Sequence, residues 1–274
     1  TVYRKTKLRN TDRKKLVGDI DILEYLFKFL NSYDFSSVSG TKSTKGKNQL
    51  INASVLGLIF EKINGYKDGS FFTPGKITMY MSQRAISQAV LNKVNEVMNW
   101  NCSDFVELSN RTRDYSLPIE ERRKISEAID SIKILDPAVG SGHFLVSMLN
   151  EMIALKSHLR VLFSENDLLN DIQCTVVNDE LIIQDQTGNI YQYDANNPLS
   201  RRIQKGIFNQ KKDIIENCLY GVDLNPNSVN ICRLRLWIEL LKSSYYTEDD
   251  DGNRTVATLP NIDINIKVGD SLIH

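Results

Sequence analysis

The most constraining feature of this sequence is a short apolar segment that leads through a small-residue turn into a long helix. Residues 132–135 form the apolar run, and Asp-Pro-Ala-Val-Gly-Ser-Gly follows at 136–142. Residues 142–155 then carry the apolar spacing of a helix. Strand, glycine turn and helix in this order form the opening unit of an α/β sheet. The sequence therefore predicts a sheet that begins near residue 132.

Two further strands are predicted later in the chain. Residues 219–222 predict a second strand, and the Asn-Pro pair at 225–226 marks the start of a helix, with Asn as N-cap and Pro in the first position. Residues 264–268 predict a third strand. Ligands of open parallel sheets bind beyond the carboxyl ends of the strands. Each predicted strand is followed there by a carboxylate, which makes three candidate ligand-binding residues: Asp136, Asp223 and Asp270.

The glycine turn itself restricts the class of ligand. Gly140 and Gly142 allow a close approach of the backbone, and a helix N-terminus favours a negative group. A dinucleotide fingerprint would place a third glycine where Leu145 stands, and an acid about 20 residues further on. These differences argue against a nicotinamide dinucleotide and favour a ligand with an amino-acid tail. His143 at the helix start is interpreted as a packing or capping residue.

The rest of the chain predicts a mostly helical N-terminal region and a long insertion between the first two strands. The insertion should have structure of its own, because loops between sheet elements usually span about 2–6 residues. Its pattern predicts a small β-meander at 176–177, 181–183 and 190–193 and a helix at 200–216. Further predicted segments are a helix with a basic lead within 1–38, a polar loop at 39–48, helices at 50–63, 74–97 and 118–129, and a solvated loop at 248–251.

Composition narrows the class of protein. The 34 Lys and Arg residues balance 34 Asp and Glu residues, so charge alone gives no case for a polybasic nucleic-acid binder. No apolar run approaches the roughly 18 residues of a membrane span. The four cysteines form no Cys-x-x-Cys pair, which predicts reduced, buried thiols in a cytoplasmic protein and no metal site: Cys102, Cys174, Cys218 and Cys232.

Four motifs resemble those of the gamma-type DNA adenine-N6 methyltransferases. The stretch Asp-Pro-Ala-Val-Gly-Ser-Gly-His-Phe-Leu at 136–145 resembles their first motif, Tyr-Gly-Val-Asp-Leu-Asn-Pro at 220–226 their second, and Val-Gly-Asp-Ser-Leu at 268–272 their third. Upstream, Gly-Ser-Phe-Phe-Thr-Pro at 69–74 is similar to the segment that closes over the methionine end of the cofactor. This order is that of the gamma arrangement. The long insertion resembles the large fused enzymes of type IIG restriction–modification systems.

The resemblance implies an α/β fold, namely a truncated Rossmann-like methyltransferase sheet of the first three strands preceded by a mostly helical N-terminal region. The expected domains are 1–125, with the cofactor-closing segment 69–75, and 126–274, with a β-rich insertion at about 160–216. The implied cofactor is S-adenosyl-L-methionine. The residues implied to bind it are Phe72, Thr73, Asp136, Ala138, Gly140, Gly142, Asp223, Leu224, Asp270 and Leu272.

The resemblance also implies a role for most of these side chains. Asp223 would accept hydrogen bonds from both ribose hydroxyls, and Leu224 would lie against the adenine. Asp270 would accept from the adenine amino group, with Leu272 as a second wall. Asp136 would lie near the methionine ammonium. The methionine tail would be covered by the remaining pair, Phe72 and Thr73.

The catalytic Asn-Pro-Pro-Tyr segment of this class, which holds and stacks on a flipped adenine, is expected to be missing, because no two of the six prolines are adjacent. The parent protein, from a restriction–modification or phage-defence system, would act on double-stranded DNA, and this chain alone would be inactive. The strand that normally pairs beside the first would also be missing, which predicts self-association or marginal stability. Two other hypotheses remain: a methyltransferase for RNA, protein or a small molecule, and a non-catalytic DNA-binding module that uses the basic N-terminal helix.

Overall fold

The computed structural model describes residues 73–248, 254–256, 260–262 and 265–272. The chain divides into two compact units, residues 1–58 and 59–274, and all described residues lie in the second. The predicted helices within 1–38 and at 50–63, and the loop at 39–48, lie outside the described residues. The domain boundary expected near residue 125 stays a prediction.

Three helices precede the sheet: α1 (Gly75–Met98), α2 (Phe105–Arg113) and α3 (Ile119–Asp130). The predictions for α1 and α3 are confirmed, with ends that differ by a single residue. Their starts are set by Pro74 and Pro118, which stand at the N-cap positions.

Helix α2 was not predicted, although its start carries a local signal. The Asp104 side chain accepts a hydrogen bond from the Glu107 N–H at 2.8 Å. In return, Oε2 of Glu107 accepts from the Ser103 N–H at 2.7 Å. This reciprocal arrangement is closely related to a capping box, in which two side chains satisfy the unpaired N–H groups of a helix start.

Strand β1 (Ile134–Asp136) and helix α4 (His143–His158) follow, as the strand–turn–helix pattern predicts. The helix continues about one turn beyond the predicted end. Its long apolar surface is buried, since α4 packs against α1, α5, α6 and strands on both sides of it in the sequence.

The insertion differs from the predicted meander. It contains two hairpins, formed by β2 (Phe163–Ser164) with β3 (Asp167–Leu168) and by β4 (Ile172–Val177) with β5 (Glu180–Asp185). The predicted third strand at 190–193 is reduced to one bridge between Gln184 and Ile190. The predicted helix is confirmed as α5 (Pro198–Asn217).

After the insertion come β6 (Leu219–Asp223) and α6 (Pro226–Leu241), both as predicted. Strand β7 (Tyr246–Glu248) forms a hairpin with β8 (Arg254–Val256), and its last residue falls within the solvated loop predicted at 248–251, so that prediction is wrong at residue 248. The last described strand is β9 (Ile266–Val268), which lies within the predicted third strand.

Strands β1, β6 and β9 form one parallel sheet in the order β1-β6-β9. Asp136 pairs with Gly221 across the first interface, and Asp223 pairs with Val268 across the second. The chain therefore has a mixed α/β fold around a parallel three-stranded sheet. Among the described residues no strand pairs with the free edge of β1, where Leu135 is 65% exposed. The predicted self-association stays a prediction.

A single apolar core joins these elements. The helices before the sheet contribute to it together with α4, α5 and α6, so the α-helical segments and the sheet pack as one body within residues 73–272. Side chains with essentially no exposed surface include Val94, Leu108, Ile125, Leu149, Met152, Ile207, Leu219, Leu236 and Ile266.

Candidate functional site

The structure brings the strand-end carboxylates to one edge of the sheet. Asp136 is the last residue of β1, and Asp223 is the last residue of the neighbouring parallel strand β6. Asp270 follows β9 by two residues, and the Gly269 N–H donates to the backbone oxygen of Asp223 at 3.0 Å. The carboxyl ends of the three strands therefore form one edge that carries all three acids.

The glycine turn after β1 adopts a conformation that favours glycine, and at Gly142 the neighbouring helix leaves no room for a side chain. Gly140 and Gly142 have φ values of 53° and 80°, in the left-handed region. A Cβ on Gly142 would lie 2.6 Å from Sγ of Cys232, on α6. The turn is tied to the next strand as well, because the Val139 N–H donates to the backbone oxygen of Val222 at 2.9 Å.

The Asp223 carboxylate holds this turn in place. Its Oδ2 accepts a hydrogen bond from the Gly140 N–H at 2.9 Å, and its Oδ1 accepts from the Asn225 N–H at 2.8 Å. An ionised carboxylate offers about four lone-pair sites, so further donors can be accepted. Sequence reasoning predicted Asp223 as a ligand acceptor but missed its bond to the turn.

Asp136 lies beside Asp223 and is partly buried. Its Oδ1 accepts from the Ala138 N–H at 3.0 Å. Burial raises the pKa of the Asp136 carboxyl, and the negative charge of Asp223 adds to the rise, while the Ala138 hydrogen bond opposes it. A cation placed next to this pair would therefore interact favourably with both carboxylates and offset the repulsion between them.

The third strand end is more open. Asp270 is exposed, and its Oδ1 accepts from the Leu272 N–H at 2.9 Å. Leu224 and Leu272 are 70% and 91% exposed. Two large apolar side chains on the surface beside a row of carboxylates provide walls for a ligand that has both apolar and hydrogen-bonding parts.

The upstream segment ends beside the glycine turn. Phe72 lies outside the described residues, whereas Thr73 is described and exposed, directly before the Pro74 N-cap of α1. A Cβ on Gly75 would lie 3.3 Å from Cε1 of His143, the first residue of α4. The starts of α1 and α4 are therefore in contact.

Two side chains that sequence reasoning did not assign to the site support the turn, one buried (Arg235) and one partly buried (His143). Nη1 of Arg235, on α6, donates to Oγ of Ser141 at 3.0 Å. Nε2 of His143 lies 2.8 Å from Oδ2 of Asp179, in the β4–β5 hairpin turn. His143 thus connects the start of α4 to the insertion, in accord with its interpretation as a packing residue. The signal for Arg235 is a charged residue within an apolar helix.

The cysteines, the possible metal ligands and the hydropathy of the helices bear on other predictions from the sequence. All four cysteines are free and buried, as predicted, and burial raises the pKa of Cys174 and Cys232 to about 12. Within the described ranges no cluster of three or more His, Cys, Asp or Glu side chains could hold a metal ion. No helix in the described part of the chain is long and apolar enough to cross a membrane.

Together, the parallel sheet, the glycine turn and the strand-end carboxylates define an α/β protein whose ligand site lies at the carboxyl edge of its sheet. The family model described as MmeI, DNA-methyltransferase domain matches residues 113–273, which is more than half of the chain. The chain belongs to this family of DNA-methyltransferase domains, and this membership implies a methyl donor as cofactor.

Two other comparisons concern regions beyond this domain. Residues 1–51 match a domain of unknown function, DUF7814. A Methanocaldococcus jannaschii protein named as a type II restriction enzyme and methyltransferase is 28% identical over 271 residues. The match covers 94% of this chain but only 19% of that protein, so the chain spans about a fifth of its relative's length. No solved structure matches the chain.

Proposed function

We propose that this chain is the S-adenosyl-L-methionine-binding part of a DNA adenine-N6 methyltransferase from a restriction–modification system, with a Rossmann-like sheet. The observation that carries this proposal is the row of strand-end carboxylates beside a glycine turn in a DNA-methyltransferase domain. The adenine-N6 specificity comes from the resemblance of the four motifs to the gamma-type enzymes. The relative from M. jannaschii supports the restriction–modification context.

The chemistry of the residues fits this cofactor. S-adenosyl-L-methionine would supply a methyl group activated by its sulfonium. Asp223 would accept from the two ribose hydroxyls, since its oxygens retain acceptor capacity beside the N–H groups of Gly140 and Asn225. In this position Asp223 would orient both the turn and the sugar, so that one carboxylate links the protein backbone to the ligand.

The other side chains would hold the two ends of the cofactor. Asp136 would lie near the methionine ammonium, which would favour the ionised form of a carboxyl whose pKa burial raises. Asp270 would accept from the adenine amino group, and the exposed side chains of Leu224 and Leu272 would contact the adenine. Thr73, together with Phe72, would cover the methionine tail from the start of α1.

The chemistry on adenine would belong to a longer protein. No two prolines are adjacent in these 274 residues, so an Asn-Pro-Pro-Tyr segment does not occur among them. We therefore expect the longer protein, rather than this chain alone, to transfer the methyl group to double-stranded DNA. The four buried, free thiols suit a reducing compartment, which supports a location in the cytoplasm.

Calorimetric titration with S-adenosyl-L-methionine tests the assignment of Asp223. Asp223→Ala should weaken binding by about 1.5–3 kcal/mol, the usual range for hydrogen bonds to a charged group. Asp223→Asn should weaken it less, because the amide oxygen can still accept one of the bonds. Asp104→Asn is the matched control, since asparagine caps α2 as well as aspartate does.

Two results would contradict the proposal at different levels. Unchanged affinity in a folded Asp223→Ala variant would remove Asp223 from the cofactor site. In the longer protein, a labelled methyl group recovered on cytosine, or on RNA or protein instead of adenine N6 in duplex DNA, would overturn the substrate assignment while leaving the cofactor site intact.

A further inference from the structure

A second concave region lies at the other end of α4, away from the glycine turn. It is a cavity of about 620 Å³ between the end of α2, the start of α3, the end of α4 and the insertion hairpins. Helix α4 has 16 residues, which corresponds to a length of about 24 Å. None of the residues that line this cavity belongs to the candidate cofactor site, so the cavity needs an explanation of its own.

One wall of the cavity is cationic. The charged groups that line it are the guanidinium groups of Arg113, Arg122 and Arg160, and His158 lies beside them. Burial lowers the pKa of His158, and the charge of Arg113 lowers it further. Burial likewise lowers the pKa of Arg122, with an additional contribution from Arg160. The charges of Arg113 and Arg160 therefore act on the neighbouring side chains, and an anion placed among the guanidinium groups would offset their mutual repulsion.

Two of these guanidinium groups are available to a ligand. The Arg122 guanidinium is used by the fold, because it donates to the backbone oxygens of Thr112, Leu117 and Arg160. In the described part of the chain, neither Arg113 nor Arg160 forms an ion pair with a carboxylate. Arg160 makes one long bond of 3.4 Å to the Arg113 carbonyl and stacks over Tyr115 at 4.5 Å.

The one acidic side chain of the cavity is already used by its own turn. Oδ1 of Asp185 accepts from the N–H groups of Thr187 and Asn189, at 2.9 and 3.0 Å. The hydrogen bond from the Thr187 hydroxyl lowers the pKa of Asp185 most, and the bonds from the two N–H groups lower it further. Asp185 therefore stabilises the β-turn that borders the cavity, and it makes no ion pair with the arginines among the described residues.

The remaining wall suits the uncharged part of a nucleotide. It carries the side-chain amides of Asn170, Gln173, Gln184 and Gln186, which offer both donors and acceptors. At the rim, the Tyr115 ring is 87% exposed and has Arg160 on one face. Its other face is an apolar surface on which a base could stack.

We propose that this cavity binds the phosphate of a nucleotide, with the guanidinium groups of Arg113 and Arg160 as the phosphate ligands. Arginine is well suited to this role, because its planar fork of donors matches phosphate oxygens. The amide wall and Tyr115 contact the sugar and base. The phosphate comes either from a free nucleotide or from a nucleotide of DNA, and the two sources offer the same chemistry to these residues.

Titration of the protein with AMP, inorganic phosphate and a short DNA duplex tests the proposal. For each probe that the wild-type protein binds, Arg113→Gln and Arg160→Gln should each weaken the affinity about tenfold or more, as expected for loss of a charged hydrogen bond. Arg84→Gln is the matched control, because Arg84 also stacks over a tyrosine, Tyr80, but lies outside the cavity. Thermal unfolding of each variant shows that it is folded.

The outcome identifies the source of the phosphate. AMP binding that depends on both arginines indicates a free nucleotide, whereas duplex binding with the same dependence, and none of AMP, indicates DNA. The proposal is overturned if no probe binds, or if both arginine variants bind like the wild type. S-adenosyl-L-methionine affinity should stay unchanged in both variants, and its loss in a folded variant would show that this cavity is not separate from the cofactor site.

Discussion

The two ends of α4 carry opposite charge and are built in different ways. At the N-terminal end, Asp136 and Asp223 lie beside the glycine turn and accept hydrogen bonds from its backbone. At the C-terminal end, arginine side chains from separate segments surround a cavity. The first end is built mainly by the backbone and leaves no space for a side chain at Gly142, whereas the second is built by long side chains, which can adjust. Substitutions at the two ends should therefore change the free energy of unfolding by different amounts.

The largest effect is expected near the C-terminal end, where α4 buries a charge. Nζ of Lys156 is fully buried and lies 2.8 and 2.7 Å from the two carboxylate oxygens of Asp130. Asp130→Ala removes the charged partner of this ammonium, leaving Oε1 of Gln210 as a neutral acceptor, and should lower the free energy of unfolding by about 3–5 kcal/mol. Chemical denaturation followed by circular dichroism measures the loss.

The pH dependence of this variant checks the cause. Burial lowers the pKa of Lys156 below its usual 10.5, and Asp130 opposes the shift. The folded state then binds fewer protons than the unfolded state, so the unfolding free energy of Asp130→Ala should increase as pH rises towards 10.5. Lys156→Met is the control and should cost less, because it leaves Asp130, 31% exposed, in contact with water. Equal losses in both variants would argue against a buried charge.

A somewhat smaller effect is expected from a methyl group in the glycine turn. Gly142→Ala adds strain at a φ of 80° and places Cβ 2.6 Å from Sγ of Cys232, which together should cost about 2–5 kcal/mol. We expect cofactor binding to fall with it, because the turn would have to move. Thermal melting and calorimetric titration with S-adenosyl-L-methionine measure the two effects.

The matched control for Gly142 lies at the other end of α4. Gly188 has a φ of 83°, but a Cβ there would meet no atom within 4 Å. Gly188→Ala therefore adds the backbone strain alone, about 1–2 kcal/mol. The difference between the two variants isolates the close packing at the turn, and equal costs would show that the contact with α6 is not important.

The smallest effect on the free energy of unfolding is expected at Asp136, where the substitution should stabilise the protein instead of destabilising it. Burial raises the pKa of this carboxyl, so the folded state binds more protons than the unfolded state and stability falls as pH rises through the raised pKa. Asp136→Asn should therefore stabilise the protein by about 0.5 kcal/mol at pH 7 while it weakens cofactor binding. Urea denaturation at pH 7 and pH 5 should show that this gain shrinks at the lower pH.

Asp185, which lines the cavity, provides a comparison with Asp136, because its pKa is shifted in the opposite direction. Hydrogen bonds from Thr187 and Asn189 lower its pKa, so its contribution to stability is lost as pH falls through the lowered value. Asp185→Asn should destabilise the protein at neutral pH, with a smaller effect in acid. If Asp136→Asn destabilised the protein in the same way, the carboxylate at the sheet edge would be a structural residue and not one retained for binding.

Elements with strong local signals could be predicted from the sequence, and those formed by weaker ones could not. The three parallel strands and α4, α5 and α6 follow from apolar periodicity and from the Asn-Pro helix start at Asn225, whose side chain accepts from the Asn227 N–H at 2.9 Å. Helix α2 was missed because it is short and mostly polar. The β2–β3 and β7–β8 hairpins were missed because strands of two or three residues are too short to show alternation.

The sequence by itself determined which carboxylates stand at the strand ends, because strand, turn and helix are encoded within about ten neighbouring residues. Only the tertiary structure decided what these groups contact. The bond from Gly140 to Asp223 joins residues 83 positions apart, and Arg235 reaches Ser141 across 94. The cavity at the far end of α4 gathers arginines from α2, from α3 and from the turn that follows α4. Such contacts depend on how the core aligns distant segments, and no local pattern of residues specifies that alignment.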